Sequence, residues 1–105
     1  MSFGNMQKVM RQVQKMQAEM ARLQEELGKV TVEGQAGGGA VKAVANCHQE
    51  LLSVSIDRSV IDPEDPELLE DLVLTAVNDA LKKARETAAK EMEKITGGLR
   101  IPGLF

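Results

Sequence analysis

Lys8, Arg11, Lys15 and Arg22 recur at spacings of three, four and seven residues. At about 100° per residue they fall within an arc of roughly 60° on one side of a helix. Fixed cations in a row do one kind of chemistry well: they neutralise a polyanion without reacting with it. Lys82, Lys83, Lys90 and Lys94 repeat the feature toward the other end of the chain. Of these, Lys83, Lys90 and Lys94 share an arc of roughly 40°. Taken alone, either stripe is also what any solvated helix face carries. The other reactive residue types are sparse. Cys47 and His48 are the only cysteine and histidine, so no internal disulfide and no zinc set can be assembled within one subunit. Neighbours in extended chain also point to opposite faces. The two read as turn residues, with an exposed, oxidisable Cys47 as the lesser alternative. Gly34 to Gly39 (GQAGGG) is glycine-rich but is followed by the strand-like AVKAVA, whereas a phosphate loop would close on Gly-Lys-Ser/Thr and open a helix. Ser53 and Ser55 read as strand residues. With no nucleophile–base set, metal cluster or phosphate loop, the residues argue against an enzyme, a cofactor or a small-molecule substrate.

The elements that must position the cations follow from periodicity. Met6, Val9, Val13, Met16, Met20, Leu23 and Leu27 alternate in spacing between three and four, a heptad seam that predicts a helix over about 5–27. The basic stripe lies well over a right angle from that seam. Gly28 reads as its stop. Alternating patterns then predict strands over about 29–35, 40–46 and 50–57. Asp62-Pro63-Glu64-Asp65-Pro66 punctuates the chain. Asp65 suits an N-cap and Pro66 a first helical position, predicting a second helix over about 66–96. Its acids cluster early and its lysines late, as the helix dipole favours. The segment 97–105 is an apolar tail, expected to dock rather than dangle.

A chain of 105 residues is one domain, 1–105, with a modest core. No apolar run approaches the ~20 residues that span a bilayer. The N-terminus lacks the apolar block of a secretory signal, and a lone cysteine fits a reducing compartment; cytoplasm is the expected location. Net charge is −3, which argues against nucleic acid only if charge is uniform. It is segregated. Glu19 is the only acid in residues 1–24, while Arg58 is the only base among the many acids of 57–79. Length forces a further expectation. Helices of about 35 and 46 Å do not fit inside a compact 100-residue monomer, whose radius of gyration is about 13 Å. Ala84 to Ile95 would overhang unless a second subunit covered them. A homodimer is expected, its antiparallel sheet central and its helices flanking.

The Met/Gln-rich first helix, GGGAVKAVAN (Gly37 to Asn46), ELLSVSID (Glu50 to Asp57), LLEDLVLTAVNDALKKA (Leu68 to Ala84) and TGGLRIPGL (Thr96 to Leu104) together resemble the YbaB/EbfC family of bacterial nucleoid-associated proteins. The resemblance covers essentially the whole chain. It implies an α+β fold, helix–three antiparallel strands–helix, in an intertwined homodimer that binds double-stranded DNA and alters its conformation in the nucleoid. That role would serve nucleoid organisation, gene regulation and DNA protection. One departure is visible: Asn46-Cys47 stands where the family usually has Asn-Gly, implying a lengthened turn. No residue-level motif transfers, so the expected contacts are the eight cations Lys8, Arg11, Lys15, Arg22, Lys82, Lys83, Lys90 and Lys94, acting on phosphates with weak selectivity. The alternative is a dimeric protein-interaction adaptor using the Met-rich seam and apolar tail.

Overall fold

A computed structural model of the chain describes residues 3–96; the tail expected to dock lies outside the described residues. The order is α1 (Phe3–Leu27), β1 (Thr31–Ala36), β2 (Val41–Asn46), β3 (Leu51–Ile56), a 3₁₀ turn at Arg58–Val60 and α2 (Pro66–Thr96). The first helix is rich in Met, Gln, Lys, Arg and Glu, all good helix formers. It ends where Gly28 follows, Lys29 and Val30 returning their amides to the carbonyls of Glu26 and Leu27. α2 begins as its sequence dictates, with the Leu68 amide donating to the Asp65 carboxylate at 3.3 Å.

The strands form an antiparallel sheet in the order β1-β2-β3. Gly37, Gly38 and Gly39 all take positive φ in the first hairpin turn, a conformation that glycine reaches without penalty. β3 carries an irregularity: Ala45 pairs with Leu51 where Val44 pairs with Ser53. Leu52 is therefore the extra residue of a bulge, and the simple alternation expected of Leu52, Val54 and Ile56 is broken.

α2 covers one face of the sheet. Ala76, Ala80 and Ala84 on the helix are fully buried, as are Val41, Ala43 and Ala45 on β2. Small residues at every crossing let backbone approach backbone. Gly34 is the tightest point: a methyl there would run into the Ala76 carbonyl and the Ala80 backbone nitrogen. The opposite face of the sheet carries Glu33, Gln35, Lys42, Ser53 and Ser55, all exposed. Within the subunit this face of the sheet is therefore open.

The last turns of α1 pack against the end of α2. Leu23, Leu27 and Cys47 are buried there, against Ala88, Met92, Ile95 and Val32. This corrects the expectation of an overhanging second helix, because α1 covers Ala88, Met92 and Ile95 within the same chain. The overhang belongs to α1 instead. Met6, Val9, Met10 and Val13 are exposed, and the molecule measures 75 × 25 × 16 Å with a radius of gyration of 20.5 Å. That is far from the ~13 Å of a compact chain this long. The first helix is an arm.

Candidate nucleic-acid interface

The eight expected contacts fall into three places. Lys8, Arg11 and Lys15 are exposed on the projecting arm. Among the described residues no ion pair engages any of them, so their full charge faces solvent. Arg22 and Lys94 share a mixed-charge groove between α1 and α2 with Glu19, Glu26 and Glu91, and Lys94 is paired with Glu91 at 2.9 Å. Lys82, Lys83 and Lys90 lie along the exposed part of α2. Of these, Lys83 is already engaged, with Nζ 3.1 Å from the Asp79 carboxylate and 3.1 Å from the Glu33 carbonyl oxygen.

Asp79 has a second partner, the Gln35 amide, which donates to its carboxylate at 3.1 Å. Glu33 and Gln35 belong to β1, an edge strand, so the Asp79–Lys83 pair engages two of that edge's backbone groups from the helix. The amide of Gln35, then the Lys83 ammonium, hold the Asp79 carboxyl below the usual carboxylate range. Sequence reasoning placed Asp79 only in an acidic block. Its spacing of four from Lys83 was the available signal.

The sequence profile of the YbaB/EbfC DNA-binding family matches residues 2–99. The chain belongs to this family. It is 60% identical over 102 residues to a nucleoid-associated protein of Pelotomaculum thermopropionicum, covering 97% of each chain. It is 58% identical over 103 residues to a nucleoid-associated protein of Moorella thermoacetica, covering 98% of this chain and 99% of that one. Among solved structures, an uncharacterised protein of Helicobacter pylori is similar with a TM-score of 0.72 and 26% identity, covering 92% of this chain and 99% of that one. YbaB/EbfC membership is that of a DNA-binding protein rather than an enzyme, and it bears out the resemblance carried by the helix and strand motifs.

The second hairpin of this YbaB/EbfC chain is built without the Asn-Gly pair. The Asn46 side chain accepts from the amides of His48 and Glu50, both at 3.0 Å, and positive φ falls on Gln49. The turn is lengthened through His48, as expected once glycine is missing. Cys47 is not at an exposed tip. Its amide donates to the carbonyls of Leu27 and Val30, and its thiol is buried. Burial, then the charge of Glu91, push the thiol pKa up, the opposite of a reactive cysteine. His48 is exposed, and its Nε2 bonds the Gln24 carbonyl oxygen of α1. Among the described residues no group of three or more His, Cys, Asp or Glu could hold a metal ion. No described helix is long and apolar enough to cross a membrane.

Proposed function

We propose that this protein binds duplex DNA as a homodimer, neutralising phosphates with its basic residues, with weak sequence selectivity, and that it thereby alters DNA conformation in the nucleoid of the cytoplasm. The observation that carries the reading is the arm: Lys8, Arg11 and Lys15 projecting from the body, each exposed and unpaired among the described residues. Unpaired cations release counterions most fully on meeting phosphate. Arg22, Lys82 and Lys90 extend the contact. Lys83 and Lys94 join it only by leaving Asp79 and Glu91, a small cost for exposed pairs.

The dimer is proposed to form on the β3 side. Asp79 and Lys83 mark the flank of α2 that faces β1. Leu74, Val77 and Leu81 lie about 140–200° around the helix from Asp79, on the flank toward β3. There Leu51, Val54 and Leu74 are exposed. A second copy covering this strip buries apolar surface on an otherwise unpaired strand edge and brings two arms into one molecule.

Duplex binding measured against salt concentration tests the reading. Wild-type affinity falls steeply with salt. Arg11→Glu with Lys15→Glu lowers the log–log slope by about 2 per subunit and weakens binding to all sequences alike. A flat salt dependence, or unchanged binding by the double variant, rejects the arm as the contact. Capture of a protein from nuclease-treated lysate, with no duplex binding, would favour an adaptor instead.

A further inference from the structure

We propose that the projecting part of α1 pairs antiparallel with the same segment of another copy, linking dimers to one another. The seam of α1 is continuous but unevenly covered. Leu23 and Leu27 are buried against α2, while the equivalent positions nearer the N-terminus, Val13, Val9 and Met6, are exposed to 39%, 57% and 54%. The end of α2 packs beside Glu19 and Arg22, so within the described subunit no element reaches the outer part of the seam. An uncovered helix of about 12–15 residues is marginal in water; the seam lacks a partner helix.

The flanking residues identify that partner as a copy of the same helix. In a paired seam, the positions that face across at its margins carry the charges that set partner choice. Here those positions hold Asn5, Met10, Gln12 and Gln17, none of them charged. Like meets like without repulsion. Lys8, Arg11 and Lys15 stand about 140° around the helix from the seam and stay outside the pair, free for phosphate.

Geometry chooses the direction. Paired helices lie about 8–10 Å apart, while the molecule is 25 Å across its second axis. A parallel pair would bring two bodies into the same space, whereas an antiparallel pair sends them to opposite ends. The overlap then centres near Val9, which meets the Val9 of the other copy, with Met6 opposite Val13. Because this surface is separate from the β3 side, dimers with two arms become linked in series, and two duplexes can be held by one assembly.

The pairing rests on the reading above for its role on DNA, and its main test uses no DNA. The full-length chain carrying Val9→Cys with Cys47→Ala is oxidised at high protein concentration. A disulfide-linked pair of chains is expected at position 9, and Lys15→Cys in the same background gives none. No link at position 9, or equal linkage at both positions, overturns the pairing; Cys47→Ser serves as the background if the alanine variant does not fold. Adding Leu104→Cys separates the remaining occupant: a link between positions 9 and 104 within one chain, replacing the link between copies, overturns it too. On DNA, Val9→Gln with Val13→Gln keeps single-duplex affinity within about twofold. It reduces capture of a second duplex by an immobilised one at least about tenfold, and unchanged capture counts against the pairing. A position-9 link in protein that binds no duplex keeps the pairing and rejects the DNA reading instead.

Discussion

The two edges of the three-stranded sheet are treated in opposite ways. At β1, Asp79 and Lys83 of α2 engage the Gln35 amide and the Glu33 carbonyl, so the edge is partly occupied by side chains of its own subunit. At β3, the exposed apolar residues are Leu51, Leu52 and Val54, and among the described residues no side chain of α2 bonds the strand's backbone. The cause is where α2 lies. It crosses over β1 and β2, drawn in by Gly34 and the alanine row, and that offset leaves β3 half uncovered. Occupying part of one edge biases association toward the other, since an edge engaged by its own helix offers another strand less.

This contrast can be broken at three points. The largest effect is expected from Gly34→Ala, which pushes a methyl into α2 backbone that has no flexible end to yield. A loss of about 3 kcal/mol, the upper part of the usual overpacking range, is expected in chemical denaturation, with α2 lifted off β1. Next is Val54→Lys. With arm pairing removed by Val9→Gln and Val13→Gln, a charge on the open edge is expected to convert the proposed dimer to monomer in sedimentation equilibrium while leaving far-UV helicity intact; a dimer retained in that background would move the interface elsewhere. Smallest is Asp79→Ala, expected to lower thermal stability slightly and to free the β1 edge, read as faster exchange of the Gln35 amide. Acid should mimic it. The Asp79 carboxyl is held below its ordinary pKa, so its contribution is present above the ordinary carboxylate range and is lost as pH falls through the depressed value. Asp57, held down by the Ser59 amide, adds to the loss in the same direction.

Much of this architecture is legible in local pattern. Asp65-Pro66, Gly28 and the glycine run at 37–39 act through neighbours in sequence, and each does what its residue type requires. What pattern misses depends on contacts across the chain. Cys47 reads as a turn residue and is one, but nothing nearby reveals that Leu23 and Leu27 will cover it. Helix length, which is legible, places the overhang on α2; the docking of the α1 C-terminal turns, which is not, moves it to α1. The candidate site divides along the same line. Among the described residues the arm cations have no ion-pair partner, whereas Lys83 and Lys94 are engaged by Glu33, Asp79 and Glu91. Helical phase alone could not see the strand edge that holds Lys83.

The bond from His48 Nε2 to the Gln24 carbonyl ties the second hairpin to the root of α1, close to where the helix meets the body. A tilt of about 10° at that pivot would swing the far tip of the helix by about 6 Å. That distance is close to two phosphate steps along one strand of a duplex. Under the proposed reading, one imidazole in a surface turn thus helps aim a lever whose far end would set which phosphates it meets.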